Sequence, residues 1–486
     1  MKVASLKENY LLNLVRVFYG FLIGIVSTPY ILKTLGPENL GKVDFINSYI
    51  SYIQVIACLG LPLYGVREIS KVKDNVTNRS KLICEIFIIL TVTTVLSYFF
   101  LFFSTLFIDN VKSNYKLLLI MAPMLFFSNF SIDWFYQGIE NQRVIFLRTI
   151  IVRTLSFISL FIFVRNRDDY FEYGVILMLT IVINTGINLY YLKKYVEFSE
   201  LNFKMLEFNK HYKPLMVFLL AAFSNSLYMD LTTFFLGTIS GNKYVGYFSL
   251  SNKLVRMAIT VTSVFAAVLL PRFSALYNND IKQYNILLAK AFRYILFLIL
   301  PFFIIIYSSS SQLILIFSNE QYLPAETSLK ILSTIIIFVG IAYFLSYFII
   351  YPMGKEKVYT YSVLYSSIIS IVVGYFLIRY YQHVGAAILV AVAELLGPIF
   401  MILFMWGTIK KIDLKLKSII NYSVAGILMY ASMRLFYFIN LDINIYLYFL
   451  LNVTISFLIF FTYLLITADQ IVLELKNMVF KKLKLS

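Results

Sequence analysis

The sequence predicts an all-α polytopic membrane protein of about 14 transmembrane helices (12–14), arranged in two pseudo-symmetric lobes with both termini cytoplasmic. Three observations predict it. Of the 486 residues 60% are hydrophobic and only 14% charged, whereas soluble domains average about 45–50% apolar and about 25% charged. Apolar runs of about 20 residues, enough to cross ~30 Å of hydrocarbon, recur along the whole chain. The roughly 200 residues left for loops and tails leave no room for a soluble catalytic domain of ordinary size.

The first run, 10–32, is read as a retained span, because Arg16 interrupts it and no small-residue cleavage site follows. It ends in Leu35-Gly36-Pro37-Glu38-Asn39-Leu40-Gly41, whose Gly-Pro pair is turn chemistry. Spans 44–63, 82–107, 116–134, 145–164 and 173–192 complete an N-terminal lobe of about six helices, 1–192. The longest hydrophilic stretch, 193–213, reads as a central cytoplasmic linker. The C-terminal lobe, 214–406, holds spans 214–238, 246–270, 291–317, 329–351, 360–379 and 385–406, with Pro301 and Pro398 interrupting two of them. Two additional helices, 418–439 and 445–467, and a basic tail fill 407–486. Pro29 and Pro123 also lie within spans, where each removes a backbone hydrogen bond and can bend the helix.

Charge sets the orientation. The net charge is +17, from 42 Lys and Arg against 25 Asp and Glu. In a soluble protein that balance would suggest nucleic acid; on loops between apolar spans it marks the cytoplasmic side and contact with anionic membrane lipids. Segments predicted to lie inside carry 28 of these cations, including Arg79, Arg148 and Arg293, and those predicted outside carry 9. Cys58 and Cys84 fall at inner ends, where the reducing cytosol opposes a disulfide. The Leu35–Gly41 turn has an echo in Leu236-Gly237 and Ser240-Gly241-Asn242-Lys243-Tyr244-Val245-Gly246. Both join an inside-to-outside span to the next, as parallel repeats would.

Charges within spans are the best functional markers, since each costs about 2.5–3.5 kcal/mol at a helix centre and normally faces water or a partner. They are Arg16, Arg153, Lys253, Arg256 and Arg434, with Asp44, Asp230 and Glu394 as acids and Asp133 nearer an inner end. Helical spacing groups Asn13, Arg16, Gly20 and Gly24 on one face, Asp44 and Asn47 on another, and Asp230, Thr233 and Gly237 on a third. Ser249, Asn252, Lys253, Arg256, Thr260 and Ser263 make the longest polar stripe. These faces predict a hydrated, net-basic cavity; the competing reading is ion pairing that only fixes packing, Arg16 with Asp44 or Lys253 with Asp230. A basic chamber suits anions, Arg gripping phosphate through its planar fork.

Other patterns carry little. Gly36–Lys42 fits seven positions of a P-loop, but Val43 cannot ligate Mg²⁺ and no strand precedes it. His211 and His383 are expected on opposite sides of the membrane, which excludes a shared metal or triad. Asp168-Asp169 reads as a solvated turn rather than a glycosyltransferase motif. The 38 Tyr and 46 Phe are expected mostly at lipid or at the interface. No catalytic residue, metal or cofactor is indicated.

Several segments carry a family resemblance. They are Ser27-Thr28-Pro29-Tyr30-Ile31-Leu32 with Leu35–Gly41, Gly65-Val66-Arg67-Glu68, Asp133-Trp134-Phe135-Tyr136-Gln137-Gly138-Ile139-Glu140, and Ser240-Gly241 through Val245-Gly246-Tyr247-Phe248-Ser249. Their order and spacing resemble Wzx-type polysaccharide, O-antigen and capsule flippases of the multidrug/oligosaccharidyl-lipid/polysaccharide (MOP) exporter superfamily, over nearly the whole chain. The resemblance implies alternating access in the bacterial cytoplasmic membrane. It implies translocation of an undecaprenyl-pyrophosphate-linked oligosaccharide repeat unit, with a polysaccharide polymerase and a chain-length regulator as partners. By span position, Arg16, Lys253 and Arg256, with Asn13 and Asn252, would contact substrate. Asp44, Asp230 and Glu394 would balance charge or couple an ion. The alternatives are a lipid II or teichoic-acid-precursor flippase, a multidrug exporter of the same superfamily, and a membrane glycosyltransferase or polymerase.

Overall fold

The computed structural model describes residues 6–197, 206–226, 230–410, 412, 416–439, 443–474 and 476. Lys2, Lys204, Lys411, Lys415 and the tail from Lys481, all used in the charge count, lie outside the described residues. So does 198–205 of the predicted linker.

Every described element is helical. In the first half these are α1 (Leu6–Ala57), α2 (Leu61–Val72), α3 (Val76–Ser104), α4 (Asp109–Ser113), α5 (Tyr115–Met121), α6 (Pro123–Asn129) and α7 (Asp133–Gly138). There follow α8 (Gln142–Phe163), α9 (Tyr170–Leu192), α10 (Asn209–Ser226), α11 (Asp230–Ser240) and α12 (Asn242–Asn279). The remainder holds α13 (Ile281–Ser308), α14 (Ser310–Phe317), α15 (Glu326–Ser333), α16 (Ile335–Leu345), α17 (Glu356–Phe404), α18 (Trp406–Ile409), α19 (Leu416–Phe436) and α20 (Ile445–Ile466). Among the described residues 11 helices are long and apolar enough to cross a membrane. This is the all-α polytopic architecture expected.

Two of the 11 are long enough for two crossings, with 46 and 49 residues. The 46 residues Leu12–Ala57 of α1 would reach about 69 Å as a straight helix, more than twice a hydrocarbon core. The helix breaks at Gly36, φ 70° and ψ 174°, so its two arms hold the predicted span 10–32 and the first part of 44–63, which runs past Ala57 into α2. Only glycine adopts that backbone without strain, and Pro37 lacks the N–H a first helical turn leaves unpaired. In α17 the break is at Gln382, φ 51°, and separates 360–379 from 385–406. Those arms pack closely: a Cβ at Gly374 would lie 1.9 Å from Leu389 Cδ1. The predicted span 214–238 falls on α10 and α11, with 227–229 outside the described residues. Pro123 opens α6, where the chain leaves α5.

Contacts divide the chain into two compact units, one running to Ser249 with Ile378–Ala386, the other Leu250–Leu377 with the residues from Ala387 onward. The first has a core in which Tyr64 and Ile69 of α2 meet Ile83 and Ile86 of α3 and Phe135 and Tyr136 of α7. In the second, Ile304 of α13 packs with Tyr422, Met429 and Met433 of α19 and Phe460 and Leu464 of α20. Outward faces are equally apolar, as Phe99, Phe103 and Phe107 show on and beyond the end of α3. Lipid tails match leucine in polarity, so burial alone does not sort these faces; small residues and inward hydrogen bonds do. Gly65 lies against the Trp134 ring and Gly138 against Ile69, letting α2 and α7 approach. Asn129 Nδ2 donates to Thr94 Oγ1 at 3.0 Å, and Ser432 Oγ to Ser456 Oγ at 2.5 Å. Both cysteine thiols are free.

The two echoing turns meet in the first unit. A Cβ on Gly41 would lie 1.8 Å from the Asn242 carbonyl oxygen and 3.0 Å from the Gly246 nitrogen. A Cβ on Gly246 would lie 2.0 Å from the Pro37 carbonyl oxygen. Each glycine is thus the landing place for the other turn's backbone, which cannot yield as a side chain can. Gly41→Ala and Gly246→Ala should each destabilise the protein by about 1–3 kcal/mol, the usual cost of overpacking. Melting temperatures in detergent check this, with Gly24→Ala, where nothing lies within 4 Å of the added Cβ, as the control.

Candidate functional site

The strongest concentration of intramembrane charge lies in the first unit. Arg16, on the first arm of α1, is partly buried and donates Nη2–H to Asn13 Oδ1 at 2.6 Å. The charges acting on it are Asp133, Arg148 and Arg153. Arg148 of α8 holds Asp133 in a two-pronged pair, Nη1 to Oδ1 at 2.7 Å and Nη2 to Oδ2 at 3.2 Å. Asn188 Nδ2 of α9 adds a third donor to Asp133 Oδ1 at 2.6 Å. Arg153 lies one and a half turns farther along α8, its guanidinium across Gly20, where a Cβ would be 1.5 Å from Nη1. Arg16 thus has two other guanidinium groups within electrostatic reach, while the carboxylate nearest it, Asp133, is already spent on Arg148. Arg16 and Arg153 make no ion pair among the described residues.

The alternative pairing of Arg16 with Asp44 does not form. Measured along the arms from Gly36, Arg16 sits about 30 Å down one and Asp44 about 12 Å down the other, so they differ in depth by more than three turns. Asp44 instead stands beside Tyr173 of α9. Asp230 opens α11, partly buried, and makes no ion pair among the described residues.

In the second unit the polar stripe of α12 forms as spaced. Asn252 Oδ1 accepts from Arg256 Nε at 3.4 Å, and Thr260 Oγ1 donates to the Arg256 carbonyl at 2.8 Å. Arg256 Nη2 reaches Glu394 Oε1 of α17 at 2.9 Å, with side-chain exposures of 25% and 11%. One predicted substrate cation thus stands paired with the acid predicted to balance charge. Lys253, next to Asn252 on α12, is partly buried. Arg434 is exposed in the last turn of α19, over the Tyr430 ring at 5.5 Å, rather than an interior charge.

The residues the family model matches extend over 6–277, and the model is described as polysaccharide biosynthesis protein. The chain belongs to that family. Membership agrees with the resemblance to Wzx-type flippases of the MOP superfamily and makes this a multi-pass protein of a bacterial inner membrane. It is 22% identical over 412 residues to a protein of Escherichia coli (strain K12) named "Putative O-antigen transporter", covering 82% of this chain and 97% of that one. The fold is similar to a solved structure of the lipid II flippase MurJ in an inward closed conformation, with TM-score 0.71, 17% identity, and coverage of 95% and 99%. It is also similar to an inward-facing multidrug resistance MATE family transporter of the MOP superfamily, with TM-score 0.62, 15% identity, and coverage of 82% and 95%.

Several polar residues stand elsewhere than the sequence suggests. Arg148 was counted as an inner loop cation and is instead buried against Asp133; Arg79 and Arg293 are buried too. Arg79 Nε and Nη2 donate to the Tyr195 carbonyl at 2.8 and 2.6 Å, and Arg293 Nη1 to Gln470 Oε1 at 2.9 Å. Glu85 is a further charge inside the predicted span 82–107, one that no motif or helical stripe singles out. It is fully buried, accepts from His211 Nε2 at 2.8 Å and pairs with Lys210 at 3.0 Å. His211 Nδ1 meets the Tyr64 hydroxyl. These residues back a cleft of about 420 Å³ whose lining includes Arg67, Lys71 and Lys81. Only their convergence from α2, α3 and α10 marks the place. His383 lies between the rings of Tyr244 and Tyr247, at 5.7 and 5.2 Å. Asp169 closes its loop, accepting the N–H groups of Arg165 and Asn166 at 2.8 and 2.7 Å, which hold its carboxyl below the usual aspartate range. Among the described residues no three His, Cys, Asp or Glu side chains converge to hold a metal.

Proposed function

We propose that this protein is a flippase. It carries an undecaprenyl-pyrophosphate-linked oligosaccharide repeat unit from the cytoplasmic to the outer leaflet by alternating access, for capsule, O-antigen or exopolysaccharide assembly. A polymerase and a chain-length regulator act on the delivered unit. The observation that carries this reading is that Arg16 lies within reach of Arg148 and Arg153 on helices that cross the membrane, with the nearby carboxylate of Asp133 already taken by Arg148. Unpaired guanidinium groups at such depth are costly in hydrocarbon, so they face water and an anion. A pyrophosphate is the anion a planar fork grips best. The lipid tail stays in the bilayer while the charged head follows the cations, which removes the cost of dragging phosphate and sugar through acyl chains. Lys253 and Arg256, with Asn13 and Asn252, contact the head, and Asp44, Asp230 and Glu394 balance charge or couple an ion.

The likeness to the O-antigen transporter supports this cargo, and the likeness to MurJ favours testing lipid II beside it, since both are undecaprenyl-pyrophosphate lipids that differ in the head group. The decisive assay reconstitutes the full chain in liposomes loaded with fluorescent undecaprenyl-pyrophosphate oligosaccharide or lipid II. The protein should make one of these lipids accessible to an external quencher well above the rate in empty liposomes. Equal rates with and without protein, for both lipids, would sink the proposal.

A further inference from the structure

Tyrosines are expected mainly at lipid or at the interface, yet four in the second unit pack ring edge against ring face in a row, partly buried. Ring centroids are 5.7 Å apart for Tyr343 and Tyr347, 5.4 Å for Tyr347 and Tyr351, and 5.7 Å for Tyr351 and Tyr359. Local winding explains the alignment. Residues four apart on an α-helix drift forward by about 40°. Here the chain widens into a π-turn at Ser346–Ile350, where the Tyr351 N–H donates to the Ser346 carbonyl at 2.9 Å. The wider turn reverses that drift and keeps three tyrosines on one face, and such turns gather at functional sites.

The hydroxyls are unspent. In the same unit Tyr284 donates to the Phe348 carbonyl at 2.7 Å and Tyr422 to Asp469 at 3.0 Å. None of these four tyrosines gives its hydroxyl a hydrogen-bond partner among the described residues. Both terminal rings of the row stand near the ion pair of Arg256 and Glu394: Glu394 is close enough to act on Tyr343 and Tyr359, and Arg256 on Tyr343.

Ring faces beside unpaired hydroxyls and a paired guanidinium and carboxylate suit one chemistry. A sugar ring offers C–H faces to the aromatic surface and hydroxyls to the polar groups. An acyl chain would leave the hydroxyls unsatisfied. An organic cation would find Glu394 already neutralised by Arg256. We infer that this tyrosine row, with Arg256 and Glu394, is a subsite for the glycan head of the cargo. The inference rests on the flippase reading and adds where the sugar is held.

The test measures binding to the full chain in nanodiscs with two probes, undecaprenyl pyrophosphate and the same lipid bearing a disaccharide. The parent should bind the disaccharide form about tenfold more tightly, as two neutral hydrogen bonds would provide. The double variant Tyr347→Phe, Tyr351→Phe keeps both rings, so it should fold and melt as the parent does. It should lose that preference yet bind undecaprenyl pyrophosphate unchanged. A preference that survives in the double variant overturns the subsite, and so does a parallel loss for both probes. A parent that binds the bare lipid without preferring the disaccharide overturns the subsite and leaves the flippase reading standing. A parent that binds neither overturns both.

Discussion

Removing the guanidinium groups of Arg16 and Arg256 together is expected to abolish polymer export while the protein still reaches the membrane. Hydrogen bonds to charged groups are worth about 1.5–3 kcal/mol each, so losing one contact at each arginine slows export by roughly 10²- to 10⁴-fold. The choice of substitution matters. Arg256→Ala alone would strand Glu394, which is 11% exposed, so the change is made as Arg256→Gln with Glu394→Gln. Arg16→Gln leaves Asn13 a neutral partner for its 2.6 Å contact. Lysine at either position keeps the charge but not the fork and should restore export only in part. Polymer is quantified against immunoblotted protein at native expression. Export at the parental level in the glutamine variants would show that these cations do not serve translocation.

Asp133→Ala should be the most destabilising single change, costing about 3–5 kcal/mol, because it leaves a buried guanidinium without its counterion. The Arg148 side chain is 5% exposed, and Asp133 is its only ion-pair partner among the described residues. Its Nε already lacks a hydrogen-bond partner. Replacing both residues, Asp133→Ala with Arg148→Met, should recover most of the loss, since an apolar pair removes the desolvation cost along with the attraction. Melting in detergent and survival under limited proteolysis report both effects. An Asp133→Ala variant that melts with the parent would mean that Arg148 finds another counterion, and the three-arginine cluster would have to be redrawn.

Legibility in the sequence followed the range of the interactions. The arms of α1 and α17 were readable because hydrocarbon thickness limits each apolar run, whatever packs beside it. The turn at Gly36 was readable because backbone sterics act within a few residues. The echo of Leu35–Gly41 in Leu236–Gly246 was visible as a pattern, but its meaning was not: the two turns lie against each other. The polar stripe of α12 was a matter of helical period, and Asn252, Arg256 and Thr260 are linked as that period requires.

Which charge answers which was beyond the sequence. Arg256 meets Glu394 across 138 residues, and nothing near either names the other. Arg16 and Asp44 share a helix element and have opposite signs, yet depth along two arms keeps them apart, and Asp133 takes that neighbourhood. Glu85 and His211 meet across 126 residues in the same way. The tyrosine row needed a π-turn that no periodicity announces. Membership of the bilayer, the number of apolar runs and the bias of positive charge are sums over local composition, so the chain carries them without folding. Ion pairs and ring contacts depend on distances between helices remote in sequence, and in lipid those distances are set by small residues and hydrogen bonds rather than by hydrophobicity. That is why tertiary structure alone decided which cations are held in ion pairs and which are not.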